Sequence, residues 1–169
     1  MSTEENKTLV RDMLEQILNR GNVGRVGDYF SGEFVNFGTR VGPGQFADVI
    51  TRWRAAFPDV HATIDHLVAE DDLVVSDLTV RGTQHGPFTT LQWGTLPPTG
   101  RAYAVKHCHW WRIVEGKIAE HWALRDDLGQ LRQLGHLVPP APRGASILDN
   151  RLRRQRNTPP PNRLLQRVM

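Results

Sequence analysis

The hydrophobic pattern changes its period once along this chain, and that change constrains the fold more than any other feature. Up to Pro58, apolar residues recur every three or four positions, as in amphipathic helices. From Val60 to Arg125 they alternate with polar residues or form β-branched runs, as in strands. Because the helices come first and the strands follow, the order predicts an α+β domain with an antiparallel meander, not alternating βαβ units.

Three helices are predicted in the first part of the chain. The first begins with Ser2 and Glu5, which have the spacing of a capping box. A shorter helix is expected around residues 23–30, and a third ends where Pro58 cannot continue it. Residues 38–44, GTRVGPG, are predicted to form a loop.

The strand-like runs are residues 60–64, 73–83, 101–114 and 117–125. Glu115 and Gly116 separate the last two and have the composition of a two-residue hairpin turn. We therefore predict that residues 101–125 form a β-hairpin, preceded by a loop that contains several Gly and Pro residues.

The charge is unevenly distributed, which divides the chain into residues 1–135 and residues 136–169. The second segment carries seven arginines and one acidic residue, so its net charge is +6, whereas the first segment sums to −3. Prolines and sparse apolar residues predict an extended or partly disordered C-terminal extension. The basic isoelectric point belongs to this extension, so we do not expect the domain to bind nucleic acid.

A cytoplasmic location is expected from three features of the sequence. The amino terminus, MSTEENK, does not resemble a secretory signal, and no run approaches the roughly 18 apolar residues of a membrane span. Cys108 is the single cysteine, so no internal disulfide forms.

Counting outward from the predicted turn assigns the residues of the hairpin to two faces. Val114 opposes Lys117, and an uninterrupted ladder then pairs His109 with Trp122 and His107 with Leu124. One face carries His107, His109, Trp111, Glu120, Trp122, Leu124 and Asp126. The other face carries Lys106, Cys108, Trp110, Arg112, His121 and Arg125.

The first of these faces combines large apolar side chains with imidazoles and carboxylates, which predicts a pocket. Burying ionisable groups in a purely structural core is costly unless they are paired. Asp126 is diagonal to His107 and could serve as a general acid/base. Two alternatives stay open: Asp126 could cap the following helix, and either histidine could be structural. Two histidines and a carboxylate could also bind a metal ion, but their spacing is unspecific and we expect no metal.

Four motifs occur in the order typical of one protein family. They are AFPDVHATIDHLVAEDDLVV, VRGTQHGPF, PPTGR and IVEGKIAEHWALRDDLGQLRQLG. From the first helix to about Gly135, the chain resembles the SnoaL-like polyketide cyclases of the nuclear transport factor 2-like superfamily.

The resemblance implies a cone-shaped, curved antiparallel sheet wrapped by about three N-terminal helices. This α+β barrel, also called cystatin-like, encloses an apolar cavity and commonly forms a homodimer. In the family an aspartate after E-H-W serves as acid/base for aldol ring closure, and EHWALRD places Asp126 at that position.

Several positions depart from the family pattern. Gln84 stands where a histidine is common, which leaves His85 as a possible substitute. Phe37 stands at another histidine position, which leaves Asn36 as the polar candidate. Asp77 stands where arginine is frequent, and Trp93 is an additional residue of its loop.

The predicted function is cofactor-independent cyclisation of a polyketide-like intermediate, a small hydrophobic or aromatic molecule. Asp126 would remove an acidic α-proton, and His107 or His109 would donate to the carbonyl oxygen. The predicted substrate-binding residues are Asn36, Trp53, Phe57, His85, Trp93, Trp111, Trp122 and Leu124.

Two other functions remain open from the sequence. One is addition or removal of water, as in epoxide opening or dehydration, where Asp77 would supply a second acid if it faced the pocket. The other is a non-catalytic module for ligand binding or dimerisation, since fold alone does not establish chemistry.

Overall fold

The computed structural model describes residues 1–90 and 92–137, and Met1–Leu137 form one compact unit. The predicted extension lies, from residue 138 onward, outside the described residues. The helices are α1 (Thr3–Met13), α2 (Val26–Tyr29), α3 (Pro43–Ala56) and α4 (Asp127–Leu134). The strands are β1 (Phe30–Asn36), β2 (Thr39–Arg40), β3 (His61–Glu70), β4 (Leu73–Thr83), β5 (Phe88–Thr90), β6 (Gly94–Leu96), β7 (Ala102–Val114) and β8 (Lys117–Arg125).

Six strands form one curved, unclosed sheet in the order β2-β1-β8-β7-β4-β3. All neighbours are antiparallel except β1 and β8, which run parallel. The inner face of this sheet packs against α1 and α3, and the core lies between them. This arrangement confirms the predicted α+β class with helices ahead of an antiparallel meander. None of the helices within the described ranges is long and apolar enough to cross a membrane.

The helix boundaries follow the predicted local signals. Ser2 and Glu5 form the capping box, with the Glu5 N–H donating to Ser2 Oγ at 3.2 Å. After α1 the chain continues as a π-helical turn, Leu14–Asn19. The Arg54 guanidinium of α3 donates to the Leu18 carbonyl at 2.6 Å, so it satisfies a helix-end acceptor and joins the two helices.

Strands β1, β2, β5 and β6 were not predicted, and the predicted loop at residues 38–44 is only partly correct. Thr39 and Arg40 pair with β1, and α3 already begins at Pro43. The sequence of β1, FSGEFVN, lacks strict alternation, so its strand state depends on tertiary partners. Those partners are β8 and the Phe46 ring of α3, which lies 4.6 Å from Phe30 between ring centroids.

The predicted pairing of β7 with β8 holds beside the turn and fails beyond it. Val114 pairs with Lys117 and Ile113 with Ile118, as predicted. Ala119 is then an additional residue of β8, so that Arg112 pairs with Glu120 and Trp111 with His121. This β-bulge reverses the predicted faces of β8 from that point on.

Cross-strand side-chain pairs explain why the bulged register is preferred. Arg112 Nε lies 3.2 Å from Glu120 Oε2, and the Trp110 and Trp122 rings are parallel with centroids 6.2 Å apart. In the uninterrupted register, Arg112 would instead face Ala119. Opposite-charge and aromatic pairs each stabilise a sheet by roughly 0.2–1 kcal/mol, which favours the bulge.

The loop after β4 is fixed at the C-terminal end of α3 by a close backbone approach. The N–H groups of His85 and Gly86 both donate to the Ala56 carbonyl, at 3.0 and 3.1 Å. A Cβ at Gly86 would lie 2.4 Å from the Ala55 carbonyl oxygen, whereas one at Gly24 would meet nothing within 4 Å. Position 86 therefore requires glycine for steric reasons.

We expect Gly86→Ala to lower the free energy of unfolding by about 1–3 kcal/mol, because the backbone of α3 or of the loop must move. Urea denaturation followed by circular dichroism measures the change. The matched control is Gly24→Ala, which we expect to alter stability by less than about 1 kcal/mol. Equal effects of the two substitutions would contradict the steric argument.

Candidate functional site

Three histidines lie side by side on the inner face of the sheet. His107 and His109 alternate along β7, and His121 of β8 pairs with Trp111 of β7. His107 is 4% exposed and His121 is 6% exposed. The opposing residues of β4 are Leu78 and Ser76, and both are fully buried.

A continuous hydrogen-bonded chain joins these imidazoles. His107 Nδ1 lies 3.4 Å from His109 Nε2, and His109 Nδ1 lies 2.8 Å from His121 Nε2. His121 Nδ1 lies 2.8 Å from Asn36 Oδ1, at the end of β1. We call these four residues the histidine chain.

Aromatic rings hold the histidine chain from both sides. Trp111 stacks on His109 and on His121, with centroids 5.4 and 4.2 Å away, and its Nε1 donates to Ser76 Oγ at 3.0 Å. Trp53 of α3 lies parallel to the His107 ring at 6.4 Å. The packing leaves little rotational freedom to the imidazoles.

Burial keeps all three imidazoles uncharged near neutral pH. It lowers the pKa of His107 to about 4, with the positive charge of Arg125 adding to the effect and Asp126 opposing it. Burial likewise lowers the pKa of His121 to about 3 and that of His109 well below its usual value. The chain therefore consists of neutral rings, each with one N–H and one lone pair.

One nitrogen at the end of the histidine chain is free. His107 Nε2 is buried and has no hydrogen-bond partner among the residues that the structure describes. Buried polar atoms are nearly always paired, so this nitrogen is a candidate position for a hydrogen bond with a water molecule or a ligand atom.

Asp126 lies at the end of β8, one residue after the partner of His107. Its Oδ1 accepts from the Gly129 N–H at 2.8 Å, which makes it the N-cap of α4, and its side chain is exposed. The helix-cap interpretation, which the sequence left open, is thus confirmed. A carboxylate retains further lone pairs, so the cap does not remove Asp126 from acid–base chemistry.

The structure brings Asn36, Trp53 and Trp111 together with His107 and His109. Phe57 lies apart from these residues and is fully buried against Tyr103 and Phe88. His85 and Trp93 are exposed on the loops around β5 and β6.

The predicted placement of Glu120, Trp122 and Leu124 on the histidine face is wrong, because the bulge turns all three outward. The bulge also brings Arg125 opposite His107, so Asp126 leaves its predicted diagonal position and its N–H donates to the Lys106 carbonyl at 3.1 Å. Leu124 is 70% exposed, and Trp122 packs on Trp110 of the outer face. Asp77 also faces outward, where His66 Nδ1 lies 3.0 Å from its Oδ2. It therefore supplies no second acid beside the histidines.

A surface cavity of about 430 Å³ adjoins the other end of the histidine chain. Its lining residues are Val35, Phe37, Gly38, Glu120, His121 and Trp122. Trp122 thus reaches a cavity, but from the outer side. Within the described ranges, no group of three or more His, Cys, Asp or Glu side chains is arranged to hold a metal ion.

His121 is the functional candidate that the sequence analysis assigned to the wrong face. A signal for its true position existed in the sequence. Sliding β8 by one residue brings Glu120 opposite Arg112 and Trp122 opposite Trp110, and both pairings are more favourable than those of the uninterrupted ladder.

The lowered histidine pKa values predict that the protein loses stability on acidification. Unfolded histidines bind protons below a pKa of about 6.5, while His121 in the folded protein does so only below about 3. The stabilisation is present above pH 6.5 and is lost as the pH falls towards 3. Between pH 6.5 and 5, His107 and His121 should each remove roughly 1.5 kcal/mol.

Urea titrations from pH 7 to 5 measure this slope. We expect His121→Phe to make the slope shallower, whatever its effect on absolute stability, because the substitution removes one of the three histidines whose pKa burial lowers. A slope in His121→Phe equal to that of the unsubstituted protein would contradict the neutral, buried state of this ring.

This chain is similar to proteins of one family. The family model of the SnoaL-like polyketide cyclases matches residues 8–134. Aklanonic acid methyl ester cyclase DnrD of Streptomyces peucetius is 32% identical over 147 residues, which cover 82% of this chain and 95% of that protein. Nogalonic acid methyl ester cyclase of Streptomyces nogalater is 31% identical over 128 residues, covering 72% and 91%.

Solved structures share the fold. TsrD of Streptomyces laurentii superposes with a TM-score of 0.72 at 29% identity, covering 81% of this chain and 99% of that one. A SnoaL-like polyketide cyclase of Agrobacterium tumefaciens gives 0.67 at 21% identity, covering 80% and 100%. The chain therefore belongs to the SnoaL-like polyketide cyclase family.

Proposed function

We propose that this cyclase closes a carbocyclic ring in a polyketide-derived methyl ester by intramolecular aldol addition, without a cofactor. Two relatives are named as cyclases of aklanonic and nogalonic acid methyl esters, which supports an ester of this class as the substrate. A methyl ester carries no carboxylate charge, so it can enter a buried site of neutral imidazoles and indoles without the desolvation cost of a charged group.

The observation that carries the proposal is the free, buried Nε2 of His107 at the end of the histidine chain. Aldol closure requires a base that takes the α-proton and later returns a proton to the new alkoxide, and one group can do both. Its lone pair is available at pH 7 because burial lowers the pKa of His107 to about 4, but the same burial disfavours the imidazolium, so the step requires a negative charge nearby to stabilise it. His107 would form the imidazolium while the enolate attacks the carbonyl carbon.

Asp126 has a different role in this proposal from the one predicted from the sequence. Its Oδ1 is engaged by the Gly129 N–H, and its negative charge raises the pKa of His107. We infer that Asp126 stabilises the imidazolium of His107 as it forms. Direct removal of the α-proton by Asp126 stays a prediction of the sequence, and substitutions of His107 and of Asp126 separate the two roles.

Further assignments belong to the same proposal. Trp53 and Trp111 would contact the aromatic part of the substrate, since their rings flank the imidazoles. Residues 1–135 would form the catalytic domain of a cytoplasmic homodimer, as the sequence and its resemblance predict. His109 would act through its hydrogen bond to His107.

The mass of the product separates cyclisation from water chemistry. We expect the purified full-length chain to convert aklanonic acid methyl ester into an isomer of unchanged mass, because aldol closure conserves every atom. Liquid chromatography with mass spectrometry measures this. Gain or loss of one water would instead indicate hydration or dehydration. If the protein binds aklanonic acid methyl ester but converts neither this ester nor nogalonic acid methyl ester, the result would favour the non-catalytic module.

Substitution of His107 tests the base. His107→Phe keeps a ring beneath Trp53 and removes the lone pair, so we expect kcat to fall at least about 10³-fold. The control, His66→Phe, removes an exposed histidine of the outer sheet face and should leave kcat unchanged. Full turnover by His107→Phe, with an unchanged fold, would overturn the assignment.

Substitution of Asp126 tests its charge. Asparagine caps helices about as well as aspartate, so Asp126→Asn should preserve α4. Loss of the charge that raises the pKa of His107 should lower kcat about 10- to 100-fold with little change in KM. Asp127→Asn, which removes the neighbouring charge, is the control. A loss above about 10⁴-fold would instead make Asp126 the direct base.

A further inference from the structure

We propose that Asn36 is a positioning residue that fixes the tautomers of all three histidines and thereby places the lone pair on His107 Nε2. Only the catalytic consequence of this proposal rests on the proposed function. The tautomers themselves are a property of the resting protein and can be measured without substrate.

Asn36 sets the donor-to-acceptor direction of the hydrogen bonds in the histidine chain. Its Oδ1 is a carbonyl oxygen and can only accept, so the Nδ1 of His121, at 2.8 Å, must carry the proton. A neutral imidazole has one N–H, which leaves the Nε2 of His121 as an acceptor. His109 Nδ1, at 2.8 Å, must therefore be the donor to it.

The same reasoning extends to the far end of the chain. With its proton on Nδ1, His109 has a lone pair on Nε2, which accepts from His107 Nδ1 at 3.4 Å. His107 then keeps its second lone pair on Nε2, the buried atom without a partner. The opposite direction is excluded because two lone pairs would face each other between His121 and Asn36.

Asn36 is held by the backbone on both sides, which makes it suited to this task. It pairs with Thr39 across the tight β1–β2 turn and with His121 along β8. The next residue, Phe37, has a positive φ of 49° and donates its N–H to the His121 carbonyl at 2.9 Å. The amide oxygen is thus fixed relative to the ring that it orients.

Nuclear magnetic resonance of the full-length chain labelled with ¹⁵N-histidine tests the tautomers directly. At pH 7.5, long-range ¹H–¹⁵N correlations should show Nδ1–H in His107, His109 and His121. His61, His66, His85 and His136 serve as internal comparisons in the same spectrum. An Nε2–H in His107 would overturn the proposal, because it would mean that Asn36 presents its amide N–H₂ to the chain.

Asn36→Leu tests the catalytic consequence. Without this acceptor, the hydrogen bonds of the histidine chain can run in either direction. We therefore expect part of the population to carry Nε2–H in His107, and kcat to fall at least tenfold with little change in KM. Asn22→Leu, on an exposed turn, is the control and should change neither. The tautomers of the unsubstituted protein test the proposal even if Asn36→Leu does not fold.

The outcomes distinguish this proposal from the proposed function. If Asn36→Leu gains Nε2–H in His107 but keeps full turnover, the positioning role is overturned. Loss of turnover in His107→Phe would still support the cyclase assignment in that case. If His107→Phe keeps full turnover, the proposed base is overturned, whatever the tautomers are.

Discussion

The additional residue Ala119 in β8 is the constraint on which the candidate site depends. Without it, His121 would point to the outer face and the histidine chain would end at His109. With it, His121 lies between Asn36 and His109, at hydrogen-bond distance from both. One inserted residue in a strand exchanges every side chain that follows between the two faces of the sheet.

Burying three imidazoles together is tolerable because they satisfy one another. An isolated buried imidazole loses its hydrogen bonds with water, but here each ring except that of His107 uses both nitrogens. The indole of Trp111 stacks on two of the rings and is itself bonded to Ser76. Among these rings, the free-energy cost of burying a polar atom without a hydrogen bond is largest at His107 Nε2. A hydrogen bond with a bound substrate would remove that cost.

Membership of the family and the chemistry of the site answer different questions. The family and its named relatives establish a polyketide cyclase. They do not determine which group moves the proton, because one fold accommodates many reactions. In this chain Asp126 occupies the expected position but caps α4, and Gln84 spends its side chain on loop carbonyls such as that of Pro97 at 3.0 Å. Asp126 keeps further lone pairs despite the cap, and the histidine chain has one nitrogen without a partner, His107 Nε2.

The sequence by itself determined the α+β class, the capping box at Ser2, the end of α3 before Pro58 and the turn at Glu115–Gly116. These features follow from contacts within a few residues, so local pattern is sufficient to predict them. It also placed His107 and His109 on one face, because residues two apart on a strand share a face whatever the register. Only the tertiary structure decided strand β1, the outward turn of Trp122 and Leu124, and the inclusion of His121. Each of these depends on how separate segments pair, and the energies that select one register are sums of small contacts between residues distant in sequence.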